Sequence, residues 1–171
     1  VDTPNKVLIV YYSLTGNTAR VAGDLARELK ADVEVLRDHT PRIGSFGLLR
    51  AAFDALRNAR TRIDPPTRDP VQYDLTIVGT PVWASHITPA VRTYLQQVQH
   101  RLGRVAFFAT CANTGYDRIT PALERAANRK AITSTTFNAR ELSDPAAYQE
   151  KLAAFVRAIS SSSGDHTRRV A

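Results

Sequence analysis

The chain has 171 residues, with 23 Lys and Arg against 16 Asp and Glu, a formal charge of +7, and 43% hydrophobic and 23% charged residues; one domain with a real core suits these figures, and disorder does not. The single cysteine, Cys111, excludes a disulfide framework, and no cysteine–histidine spacing suits a zinc site. No apolar run approaches the roughly 18 residues of a membrane span, and Val1-Asp2-Thr3-Pro4-Asn5 lacks the basic and apolar regions of a signal peptide, so a cytoplasmic protein is expected.

The first apolar run, Val7 to Tyr12, predicts a buried strand, and Val21, Leu25 and Leu29 predict a helix over 17–30. Val33 to Leu36 reads as a short strand. Leu49, Ala52, Phe53, Leu56 and Ala59 predict a helix over 46–60, inside a long connection, 38–73, rich in proline and glycine. Leu75 to Gly79 is a third strand, and Pro89 opens a helix over 89–99 at a position where its missing N–H costs nothing. Val105 to Ala109 and Ile132 to Phe137 are further strands, around a helix over 118–129. Ser143-Asp144-Pro145 starts a helix over 145–159. The serine run from Ser160 has no core pattern, so the expected domain is 1–160, with 161–171 a disordered tail. Five strands alternating with helices make an α/β protein with a parallel sheet and right-handed crossovers.

Ligands of such sheets bind beyond the carboxyl ends of the strands, at the switch point of the strand order. The turn after the first strand, Ser13-Leu14-Thr15-Gly16-Asn17-Thr18, offers hydroxyls, an amide, one glycine and a helix N-terminus, which suits a phosphate. The same residues also suit a capped helix. No lysine follows the glycine, so this is not a nucleoside-triphosphate P-loop. The turn after the third strand holds the only tryptophan, Trp83, either a core plug or a wall for a planar ring. The turn after the fourth strand is small and polar: Thr110, Cys111, Ala112, Asn113, Thr114, Gly115, then Tyr116.

Taken together, Ser13-x-Thr15-Gly16-Asn17-Thr18, Gly79-Thr80-Pro81-x-Trp83 with Pro89 beyond it, and the small third turn resemble the flavodoxin family across residues 6–160. The resemblance implies a three-layer open sandwich, a five-stranded parallel sheet in the order 2-1-3-4-5, and non-covalent FMN. By the same resemblance Ser13, Leu14, Thr15, Gly16, Asn17 and Thr18 hold the phosphate with neutral donors. Pro81, Val82, Trp83 and Ala84 line one face of the ring, with Trp83 as stacking partner. Thr110, Cys111, Ala112, Asn113 and Gly115 reach its pyrimidine edge through backbone groups, and Tyr116 covers a second face. No catalytic or metal-ligating residue is expected.

The family's second turn commonly has a glycine after the aromatic, where a peptide flips to offer its carbonyl to the reduced ring. Here Ala84 stands there. A Cβ at positive φ costs about 1–2 kcal/mol, or about 40–90 mV on a one-electron couple, which implies a less stabilised semiquinone. Two side chains have bland readings: Cys111 as a small residue beside the ring, and His86 as a loop histidine, although His86 could feed protons to a ring or quinone.

The implied function is electron transfer, with FMN cycling between oxidised, semiquinone and hydroquinone states. One alternative is an FMN-dependent NAD(P)H quinone reductase or protoporphyrinogen-oxidase-like enzyme. Another is a non-catalytic module that binds polyanions through arginines. Arg42, Arg50, Arg57, Arg60 and Arg62 face only Asp54 over 42–62, so more than half the excess charge lies there. Nucleic acid is not the expected partner. A redox protein is, though not the usual one, because acidic flavodoxins dock on basic reductases and this chain has a pI near 10.0.

Overall fold

A computed structural model describes residues 6–39, 61–112 and 118–167. Its strands are β1 (Val7–Tyr11), β2 (Asp32–Val35), β3 (Leu75–Trp83), β4 (His86–Ile87), β5 (Arg104–Cys111) and β6 (Ala131–Asn138). Its helices are α1 (Asn17–Leu29), α2 (Pro89–Val98), α3 (Ile119–Ala127), α4 (Ala139–Ser143) and α5 (Pro145–Thr167). The helix expected over 46–60 and most of the arginine-rich stretch fall outside the described residues.

The parallel strands run in the order β2-β1-β3-β5-β6, and β4 pairs antiparallel with the end of β3. With that hairpin strand set aside, this is the expected 2-1-3-4-5 order of a flavodoxin-like sheet. Alternation along the central strands splits the core into two layers. Leu8, Val10, Val78, Val105 and Phe107 pack under Val91, Tyr94 and Leu95 of α2 and Leu123 of α3. Ile9, Ile77, Ala106 and Phe108 pack under Leu25 of α1 and Tyr148, Leu152 and Phe155 of α5. Two helices therefore cover each face, which places every strand-to-helix turn at one pole.

Three elements differ from expectation. The stretch after Gly79 is not a loop: β3 continues to Trp83, and a tight turn at Ala84-Ser85 returns the chain as β4. A short helix, α4, follows β6, closed by a capping box in which the Glu141 N–H donates to Asn138 Oδ1 at 2.9 Å and the Asn138 N–H to Glu141 Oε2 at 2.8 Å. The last helix, expected over 145–159, is longer than expected, since α5 runs on to Thr167. There the serine hydroxyls bond back to the helix's own carbonyls, Ser160 to Val156 O and Ser161 and Ser162 to Ala158 O.

Tyr94 is fully buried on α2, yet its hydroxyl finds no partner among the described residues. Burial, with Glu34 and Asp69 nearby, pushes its ionisation well above the ordinary tyrosine value. Because the bare hydroxyl carries a desolvation cost without a bond to offset it, Tyr94→Phe is expected to leave stability unchanged or raise it by up to about 1 kcal/mol. A urea midpoint that falls instead would show that the hydroxyl is bonded.

Candidate functional site

The site begins where β1 ends. The Tyr12 N–H donates to Gly79 O at 3.2 Å, holding the end of β1 against β3. The chain then turns through Gly16, whose φ of +94° is a left-handed conformation that a Cβ would oppose. A Cβ built on Gly16 meets nothing within 4 Å, so the residue faces open space. Ser13 Oγ sits inside the turn and accepts the Gly16 N–H at 3.1 Å and the Ala19 N–H at 3.3 Å. Thr15, Gly16 and Asn17 are exposed, and Leu14 rests against the core. Among the described residues, the Asn17 and Thr18 amides meet no acceptor. The result is a cradle of outward N–H groups at the positive end of α1, braced from within by one hydroxyl.

Among the described residues no cation bonds to this cradle. The nearest one in sequence, Arg20, is drawn away: its Nη1 donates to Leu142 O at 2.9 Å, and its guanidinium lies 4.2 Å from the centre of the Tyr148 ring. Thr18 belongs to the frame rather than to the rim. It is buried, and its Oγ1 lies 2.8 Å from Oγ1 of Thr110, which ties the first turn to the end of β5.

The second wall is the β3–β4 hairpin. Trp83, expected as an open ring wall, is only 9% exposed. Its ring meets Tyr12 edge to face, with centroids 5.7 Å apart and planes at 85°. Trp83 is thus packed on Tyr12 with a small exposed edge, while Pro81 and Val82 are half-buried and Ala84 is exposed. Ala84 and Ser85 have φ of 47° and 64°, as a type I′ hairpin requires, although neither is glycine. The cost expected for a flip at Ala84 is thus already present. His86 Nδ1 donates to Ala84 O at 2.6 Å and pins that carbonyl, a role the sequence alone does not disclose. Beneath the hairpin, the buried Thr80 and Thr88 hydroxyls lie 3.2 Å apart. Ala84→Gly is expected to stabilise the protein by about 1 kcal/mol, since glycine occupies the left-handed region without a Cβ penalty. A lower thermal midpoint for this variant would show that the turn is relaxed with alanine in place.

The third turn brings Thr110, Cys111 and Ala112 to the same pole. Cys111 lies opposite Asn138 in the β5–β6 register, and the Ala139 N–H donates to Ala112 O at 3.1 Å. Burial pushes the Cys111 thiol above its ordinary value and Glu141 adds to this, against Lys151. Cys111 is a buried residue packed at the end of β5, in surroundings that disfavour its thiolate. Asn113, Gly115 and Tyr116 lie outside the described residues. Among the described residues no cluster of ligating side chains could hold a metal, and no helix is long and apolar enough to cross a membrane.

With that geometry in view, comparison with known proteins is direct. No curated protein matches the chain in sequence. Several solved structures match it in fold. A flavoprotein in complex with FMN from Lactobacillus acidophilus NCFM superposes with a TM-score of 0.66 at 24% identity, over 77% of this chain and 92% of that one. Two-electron reduced Megasphaera elsdenii flavodoxin gives 0.55 at 20% identity, over 91% and 98%. Oxidised Flavodoxin 2 from Bacillus cereus gives 0.57 at 17%, also over 91% and 98%. A family model described as flavodoxin matches residues 6–158, nearly all of the sheet and its helices, and the chain therefore belongs to the flavodoxin family.

Proposed function

We propose that this protein binds FMN without a covalent bond and works as an electron-transfer flavoprotein. The observation that carries the reading is the Ser13–Thr18 turn: left-handed at Gly16, open in front of it, lined by neutral donors and set on the first turn of α1. Such a turn fits a phosphate monoester through backbone N–H groups and the helix dipole. The Thr15 hydroxyl and the unpartnered Asn17 and Thr18 amides would hold that phosphate, with Gly16 giving the turn its open shape. Ser13 keeps the turn in shape while retaining a hydroxyl proton to donate. Pro81, Val82 and Ala84 would line the ring, backed by Trp83 and Tyr12, and Thr110 to Ala112 would approach it with small side chains. When bound, FMN supplies one- and two-electron transfer, and the surrounding groups set its potential.

His86 and the Ala84–Ser85 tip give this wall a fixed carbonyl and a constrained backbone. Their part is to exclude water and fix orientation, so the residues described here need no nucleophile or metal. The test is to mix the FMN-loaded protein with NADH or NADPH, and separately with a reduced one-electron donor protein. Fast reduction by the donor and slow oxidation of either nucleotide are expected. Rapid multiple turnover of a nucleotide with a quinone would replace the carrier reading with the quinone reductase.

A further inference from the structure

The +7 charge is unevenly placed, and its placement at the site pole carries an inference that rests on the electron-transfer reading above. Arg118 stands immediately before α3, where the chain leaves the third turn. Arg140 lies in the first turn of α4, two residues beyond Asn138, whose strand partner is Cys111. Both are exposed, and neither side chain is paired among the described residues. Arg20 joins the same rim from α1, tied to α4 through Leu142 O. The acids of this rim among the described residues, Glu141 and Asp144, are hydrogen-bonded. Glu141 pairs with Lys151 at 2.6 Å and caps α4, and Asp144 accepts the Ala146 and Ala147 N–H groups at the start of α5. Among the described residues Arg20, Arg118, Arg140 and Lys151 thus outnumber Glu141 and Asp144, which leaves the rim beside the third turn net positive.

We propose that the Arg20–Arg118–Arg140 rim is the docking surface for an acidic redox partner. A cationic rim around a recessed site raises the encounter rate of an anionic partner by roughly 10- to 1,000-fold at low salt, and the gain falls steeply as salt screens it. Charges on such a rim act on the encounter more than on the tightness of the docked complex. The exchanged species is a single electron: the reduced partner would be oxidised by one electron and the FMN-loaded protein reduced by one.

The test compares two double variants of equal net charge in the FMN-loaded protein. Arg118→Glu with Arg140→Glu reverses the rim. Arg125→Glu with Arg157→Glu makes the same change late in α3 and midway along α5, away from the rim. Glutamate is compatible with both rim positions, because each lies at a helix start that favours an acid. A reduced, strongly acidic [2Fe–2S] ferredoxin serves as the probe donor, with stopped-flow absorbance as the readout at 20 and 300 mM salt. The wild-type rate is expected to fall at least tenfold between the two salts. At 20 mM the rim variant is expected to be at least tenfold slower than wild type, and the distal variant within about threefold. Equal losses in both variants would overturn the rim and leave only a net-charge effect, and a rate that rises with salt would overturn the acidic partner. Failure of the unmutated protein to retain FMN would instead overturn the electron-transfer reading itself.

Discussion

Gly79→Ala is expected to destabilise the fold by about 3 kcal/mol, or roughly 6–12 °C in Tm for a domain of this size. Gly79 lies opposite Phe108 in the β3–β5 register and opposite Tyr11 in the β1–β3 register. Phe108 is fully buried, and its ring lies over the glycine. A Cβ there would come within 2.5 and 2.7 Å of Phe108 Cε1 and Cε2, and closer still to Cζ. The ring has no free direction, since Ile77, Leu25 and Phe137 belong to the same buried layer. Overpacking of this kind must shift the backbone or force the ring off its rotamer. Adding Phe108→Leu, which removes the distal ring carbons, should recover part of the loss, so that the double variant is clearly less than additive. Simple additivity of the two changes, read from urea unfolding, would show that they act independently.

Ser13→Ala is expected to weaken FMN binding by about 10- to 100-fold, with a stability loss of about 1–2 kcal/mol. The change removes the one oxygen that accepts both the Gly16 and Ala19 N–H groups, and with it the internal brace of the turn. Gly16 is then free to leave its left-handed conformation, and the exposed amides lose their common direction. Fluorescence titration with FMN gives the first number and urea unfolding the second. Ser13→Thr, which keeps the hydroxyl, should restore most of the affinity. If Ser13→Ala binds FMN as the wild type does, the brace has no part in holding the phosphate.

The parts legible in the sequence are those that a local pattern determines. β1, β3 and β5 are continuous apolar runs because both faces are covered, and α1 shows its buried stripe in Val21, Leu25 and Leu29. The Ser13–Thr18 turn is legible because few other combinations place a glycine, hydroxyls and a helix start directly after a buried strand. The hairpin is not, since Ala84-Ser85 lacks the Asn-Gly signature of a type I′ turn and only tertiary support makes it favourable. The burial of Trp83 depends on Tyr12, seventy-one positions away in the chain. The α4 capping box, by contrast, stands openly in Asn138-Ala139-Arg140-Glu141, and its signal is easily missed in so short a helix. The pairing of Thr18 with Thr110 belongs to topology alone, because the two hydroxyls stand 92 positions apart in the chain.

The central claim is that the Ser13–Thr18 turn holds the phosphate of FMN, and comparing FMN with riboflavin tests it most directly. The two ligands share a ring and differ by the phosphate. Titration of the cofactor-free protein, followed by quenching of flavin fluorescence, is expected to give one-to-one binding of FMN at least 100-fold tighter than riboflavin. Equal affinity for the two, or no uptake of FMN, would contradict it.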